Sequence, residues 1–199
     1  MKYFFAYTFC VFYFLFECYA QSSLDAHVHG EAELNIVFEG QKLLVELESP
    51  SFNLVGFEHE PKTLEQKNLV KKTIELLENF KSVANLSEEA SCNIIDTKVS
   101  TSMKGVEEGL GEHHEDEHHE DEHHEDEHHE DEHQHSEKEI HSEFFATYFL
   151  TCTRPENLKS IELKLFSTFG LMEEVDVQMI SQGRQDFAEL NSENPNLNL

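Results

Sequence analysis

The stretch from Glu112 to His135 limits the fold more than any other part of the chain, because no packed core can be made from it. A five-residue unit, His-His-Glu-Asp-Glu, runs four times from His113 to Glu132 and is followed by His133, Gln134 and His135. Ten of the fourteen histidines fall here, with thirteen carboxylates between Glu112 and Glu132 and no basic residue. So acidic a run has little apolar surface to bury and is expected to stay disordered. Imidazole and carboxylate bind borderline divalent cations through nitrogen and oxygen, so the composition reads as a multi-site metal-binding insert. An inert solvated spacer is the plainer reading, but such a spacer has no use for histidine.

The motif His-Glu-x-x-His occurs four times in the repeat, first at His114, Glu115 and His118 and last at His129, Glu130 and His133. In a zinc protease it needs a helix packed in a cleft, a third ligand and an open coordination position. Nothing around these copies could bury such a helix, and overlapping matches are a by-product of the period. The informative spacing is four residues: His114 with His118, His119 with His123, His124 with His128, and His129 with His133. One helical turn would bring each pair together. A bound cation would offset the repulsion among stacked carboxylates, so local folding coupled to metal is a consistent expectation. At two to four ligands per ion, the ten histidines, His113 and His135 included, would hold roughly three to five ions.

Residues 1–20 read as a secretory signal peptide, with Lys2, an apolar run from Tyr3 to Phe16, and Cys18-Tyr19-Ala20 as a small-x-small cleavage signal. The run is shorter than the roughly 20 residues of a spanning helix. Glu17 precedes Cys18 where a lipoprotein would carry a small residue, so the mature form is expected to be exported without a membrane anchor. Cleavage near Ala20 leaves 179 residues and two cysteines, Cys92 and Cys152. An even pair in an exported protein points to a disulfide. It would close a loop of about 61 residues around the histidine tract and contribute very roughly 4 kcal/mol by restricting the unfolded chain.

The formal charge is -27; without the tract, 28 acids face 14 basic residues, or -14. Nucleic acid and anionic membranes would be repelled, which leaves cations as the natural counterpart. From Gly30 the pattern turns regular. Ala32, Leu34, Ile36 and Phe38 alternate with wetter residues, and after Gly40-Gln41 so do Leu43, Val45 and Leu47, which predicts a hairpin ended by Ser49-Pro50. A loop containing Gly56 leads to a capping box at Thr63 to Gln66 and a helix with Leu69, Val70, Ile74, Leu77 and Phe80 on its apolar stripe. Cys92 to Ser102 and His141 to Cys152 read as strands, the second with an outward face, Phe145 and Phe149, that is unusually apolar. Beyond Pro155 come a short turn or helix, a strand near Ile161 to Leu165, an apolar segment at Phe166 to Met172, a strand at Val175 to Ile180, a turn at Gln182-Gly183 and an extended piece near Phe187 to Leu190. The expected class is α+β: an antiparallel sheet with one main helix. Residues 21–104 and 136–199 would form a single metal-binding domain, and 105–135 a flexible His/Asp/Glu-rich insert.

Four histidines lie outside the tract. His27 and His29 precede the first strand at i, i+2, which in extended chain places both rings on one side. His59 lies before the helix and His141 begins the strand after the tract. Ordinary surface histidines are the bland reading of each. Together they sit at element ends that one rim of the sheet could gather into a zinc site, with Glu58, Glu31 and Glu143 as candidate oxygen ligands.

Several motifs are similar to those of the ZrgA family of zinc-regulated periplasmic zinc-uptake proteins. They are His27-Val28-His29-Gly30-Glu31-Ala32-Glu33-Leu34, Glu48-Ser49-Pro50, Asn53-Leu54-Val55-Gly56-Phe57-Glu58-His59, the histidine-rich insert, His141-Ser142-Glu143-Phe144 and Cys152. The resemblance covers nearly all of the mature chain. It implies a soluble periplasmic protein that binds zinc and assists its import beside an ABC transporter, and it does not imply an enzyme. It also implies a further histidine in the strand after the insert, where this chain has Phe145. Two other functions stand beside zinc uptake. One is a periplasmic buffer or detoxification protein for Zn²⁺, Ni²⁺ or Cu²⁺, since histidine sites bind Cu²⁺ more strongly than Zn²⁺. The other, disfavoured by the want of any nucleophile and base pair, is a metal-dependent hydrolase.

Overall fold

The computed structural model describes residues 28–106 and 141–199. Residues 1–20, expected to be a signal peptide, His27 and the whole His/acid repeat fall outside the described residues, and so do the readings made on them. Strands β1 (Glu31–Glu39) and β2 (Lys42–Pro50) form the expected hairpin, with Ile36 opposite Val45 and Leu34 opposite Leu47. Gly40, at φ +59, turns the chain between them. Strand β4 (Cys92–Thr101) and strand β5 (Glu143–Cys152) flank the insert and pair antiparallel, and β5 also pairs with β2. Cys92 stands opposite Cys152 in that register, and the two are joined by a disulfide with S–S 2.01 Å.

The sheet departs from the expectation in one respect. Strand β7 (Glu174–Ser181) lies parallel to β1, with Ala32 opposite Val175 and Ile36 opposite Met179, while strand β8 (Arg184–Asn191) returns antiparallel to β7. The six strands run β4-β5-β2-β1-β7-β8, so the sheet is mixed and not antiparallel throughout. A parallel pair needs a long crossover, and the intervening chain supplies far more than the dozen residues required. Alternation in β1 and β7 reports only which side chains are buried, and is blind to strand direction. A second sheet, β3 (Ala84–Leu86), β6 (Ser160–Leu163) and β9 (Asn196–Asn198), consists of short strands, of which β3 and β9 carry no legible alternation.

Helix α2 (Leu64–Glu78) starts at the capping box: Gln66 N donates to Thr63 Oγ1 and Thr63 N donates to Gln66 Oε1. Its buried stripe is Val70, Thr73, Ile74 and Leu77; Leu69, one position before Val70 and about 100° round the helix, is exposed instead. Phe80 follows in a 3-10 turn and packs edge-on to Tyr148 of β5 at 5.0 Å. The Tyr148 hydroxyl donates to Leu77 O at 2.5 Å, and burial pushes its pKa far above the ordinary tyrosine value. The core lies between this helix and the inner face of the large sheet, where Leu34, Ile36, Leu43, Val45, Leu47, Phe144, Val175 and Val177 meet. Each such side chain contributes about 1.5–3 kcal/mol by leaving water.

Two segments assigned otherwise from sequence are helical. Ser51–Val55, expected as loop, is a short helix α1 closed by Gly56 at φ +81, and Leu165 opens helix α3 (Leu165–Thr168) instead of ending a strand. Both are single turns, too short for a 3.6-residue period to appear. Among the described residues no helix is long and apolar enough to cross a membrane.

Candidate metal centre

The rim where β1 and β5 begin, and β4 ends, carries the candidate ligands, and the insert joins the sheet at this same end, between β4 and β5. His29 precedes β1 and His141 precedes β5, while Glu58 arrives from the loop after α1. Glu58 joins the two histidines: Oε1 lies 3.3 Å from His29 Nε2 and Oε2 lies 2.9 Å from His141 Nδ1. The carboxylate is largely buried, whereas both imidazoles are about half exposed. Each ring thus meets a separate oxygen of one acid. A neutral His141 that donates from Nδ1 to Glu58 keeps its lone pair on Nε2. A carboxylate holding the ring N–H in this way is the usual outer partner of a metal-binding histidine.

The surrounding chain fixes these positions through residues that sequence reading did not single out. Asn53, buried on α1, accepts from Gly30 N at 2.7 Å and donates to Glu31 O at 2.7 Å and to Ser49 Oγ at 3.3 Å. It therefore ties the segment after His29 to the end of β2. Phe52, beside it, stacks on the His29 ring with centroids 4.1 Å apart. Gly30 sits at φ +95, and its carbonyl accepts from Glu173 N and Glu174 N, so the turn into β1 also anchors β7. A side chain there would be strained by the backbone and would crowd Glu173 at 3.3 Å. Ser142 is buried as well: its hydroxyl donates to Glu58 O at 2.7 Å and its carbonyl accepts from Ser51 N at 2.8 Å. That pair of bonds locks the residue after His141 to the loop that delivers Glu58. Apart from the Asn53–Ser49 bond, these contacts join segments distant in sequence, and no local pattern announces them.

The remaining candidates are placed as follows. His59 is exposed and does not join Glu58; its Nδ1 lies 2.9 Å from Glu60 O, and its ring stacks on Phe57 at 4.9 Å. Because a carbonyl only accepts, Nδ1 carries the hydrogen and Nε2 the lone pair of the neutral ring. Glu31 heads β1 on the wet face, and Glu143 is bound through its backbone, its N–H donating to Ser102 Oγ and its carbonyl accepting from Thr101 Oγ1. Phe145 lies on the outer face of β5, two residues into the strand. His27 and the ten tract histidines fall outside the described residues. Among the described residues no three His, Cys, Asp or Glu side chains are disposed to hold a metal ion as they stand. Of the two ring nitrogens that face Glu58, His141 Nδ1 is hydrogen-bonded to it and His29 Nε2 lies at ion-pair distance.

Residues 26–199 match a family model described as ZrgA family zinc uptake protein. Among curated proteins, nothing matches the chain.

Proposed function

The chain belongs to the ZrgA family of zinc uptake proteins, and from that premise we propose that it is an exported, non-enzymatic protein that captures Zn²⁺ and passes it to an ABC transporter. The observation that carries the reading is Glu58 set between His29 and His141, which brings two imidazoles and a carboxylate from distant parts of the chain to one rim. Borderline zinc takes these ligand types in sets of four. His29 and His141 would bind through nitrogen. His27, two residues before His29, and His59, whose Nε2 carries its lone pair, complete the proposed set. Glu58 holds the His141 ring in its tautomer and supplies the negative charge that offsets the ion's.

The ten tract histidines, His113, His114, His118, His119, His123, His124, His128, His129, His133 and His135, act in this reading as weaker, rapidly exchanging sites. They raise the local supply of ions at the rim where the insert is attached. The mature protein acts in the periplasm as one metal-binding domain with this insert. Growth of a deletion strain under zinc starvation tests the proposal. Uptake predicts slowed growth and lowered cell zinc, both restored by added zinc or by the intact chain. Normal growth and zinc content in a strain stripped of parallel importers contradicts it. A rise in expression when metal is abundant, and not when zinc is scarce, would mark detoxification instead.

A further inference from the structure

Among the described residues, the stretch around α2 runs against the charge of the rest. From Pro61 to Leu86 five lysines stand against three glutamates, whereas residues 28–60 hold seven acids and one lysine, and residues 141–199 nine acids and four basic residues. The excess is concentrated where the helix begins. Lys62, Lys67, Lys71 and Lys72 are all exposed and have only Glu65 among them, while Glu75 and Glu78 come at the far end of the helix. Lys67 and Lys71 share a flank at i, i+4, and Lys72 lies about 100° further round. Among the described residues none of these four lysines is paired with a carboxylate.

Both ends of the insert meet the chain just before this helix. Gly105 packs against Glu60, so that an added Cβ would meet Glu60 Oε1 at 2.7 Å. On the returning side, His141 Nδ1 lies 2.9 Å from Glu58 Oε2, and Ser142 Oγ donates to Glu58 O at 2.7 Å. Only Pro61 separates Glu60 from Lys62. The 34 residues between Val106 and His141 are therefore anchored at both ends beside the start of the lysine face.

We infer that this face of α2 is the docking surface for the chain's own repeat, His113 to Glu132, which charge holds there while the repeat is free of metal. Charge and reach select the occupant. Between Glu112 and Glu132 there are thirteen carboxylates and no basic residue, the complement of the four lysines. Looped out from its two anchors, the insert has about 17 residues each way, or roughly 55 Å when extended, against about 22 Å for the whole of α2. Every one of the four lysines is within that reach. Tethering at both ends gives the repeat a high effective concentration, which a separate acidic partner would have to outcompete. The outer face of the large sheet repels it, since Glu33 stands beside Glu48 and Asp176, and Asp176 beside Glu189. No fixed fold is needed, because interchangeable carboxylates can exchange over the same lysines, each pair contributing little alone.

Metal works against the contact. This step rests on the proposed reading of the repeat as a set of Zn²⁺ sites: each ion adds two positive charges, and three to five ions would cancel about half or more of the repeat's negative charge. The loaded repeat then leaves α2. Linkage requires that docking in turn weaken the repeat's hold on zinc, so the lysines set the concentration at which the insert fills.

Carbodiimide cross-linking of the full mature chain, read by mass spectrometry, tests the inference, because it joins a lysine amine to a carboxylate only where the two touch. With chelator and low salt, Lys62, Lys67, Lys71 and Lys72 should cross-link to residues 112–132 roughly tenfold more than the equally exposed Lys42, Lys98 and Lys159. Salt separates attraction from mere proximity: the excess should vanish in about 1 M NaCl, where the Debye length is roughly 3 Å. Lys71→Gln/Lys72→Gln should lower the yield at Lys62 and Lys67, with unchanged circular dichroism showing that the variant folds. Cross-links spread evenly over the exposed lysines, an excess that survives the salt, or yields at Lys62 and Lys67 that ignore the double variant each overturn the inference. Zinc is then added while equilibrium dialysis counts the ions bound. A repeat that fills with zinc and keeps its cross-links overturns the release. A repeat that takes up no zinc contradicts the proposed function instead, and the docking is still decided by the salt and lysine comparisons.

Discussion

At the residue scale the proposed metal centre rests on positioning residues as much as on its proposed ligands. Asn53→Ala would leave Gly30 N–H and Glu31 C=O without their side-chain partner. A buried group left unpaired costs about 1–3 kcal/mol, so urea unfolding should show a loss of at least that size. The same substitution releases the turn that carries His29, and affinity for the first zinc ion should fall with it. Glu58→Gln keeps the shape but removes the charge and the second acceptor that His29 and His141 share. Losing an outer carboxylate of this kind lowers metal affinity about 10–100-fold, to be read by competition against a chromophoric chelator. His29 and His141 could be nominated from sequence because histidine at element ends is rare and chemically pointed. Asn53 and Ser142 could not be assigned their roles, since the bonds of Asn53 to Gly30 and of Ser142 to Glu58 exist only once the chain has folded.

At the element scale the disulfide ties the two strands that flank the insert. Replacing Cys92 and Cys152 together by Ala should lower stability by about 2–5 kcal/mol in urea unfolding, because it frees a long loop in the unfolded chain. On the wet face of the sheet, Glu174 has a pKa raised first by desolvation and then by Glu189, Asp176 and Glu31. A carboxyl whose folded pKa is raised favours the folded state while protonated, and that contribution is lost as pH rises through the folded value. Glu174→Gln should therefore raise Tm slightly at pH 7, and the gain should vanish below the ordinary carboxyl range, as thermal unfolding at both pH values would show. The elements themselves were largely readable. Alternation with one buried face located β1, β2, β5 and β7, and the Thr63 capping box located the start of α2, though not its end, since Phe80 lies in a separate 3-10 turn. The parallel pairing of β1 with β7 was not readable, because side-chain alternation is the same for either strand direction.

At the scale of the whole molecule, the sheet places two chemically distinct regions at opposite ends. The rim with Glu58 receives the insert and the candidate ligands, and the far end carries an outward apolar row of Val37, Leu44 and Phe149. In the proposed function, tight zinc binding belongs to the folded rim and bulk capacity to the insert. Zinc titration by competition and calorimetry tests it on three forms of the mature chain: intact, lacking residues 105–135, and carrying His29→Ala with His141→Ala. Deleting the insert should remove roughly three to five weak ions, at two to four histidines each, and leave the affinity of the first ion nearly unchanged. The double histidine variant should weaken the first ion by about tenfold or more and keep the weak ones. Loss of the tight ion on deleting the insert, or a first-ion affinity indifferent to His29 and His141, would contradict this division of roles.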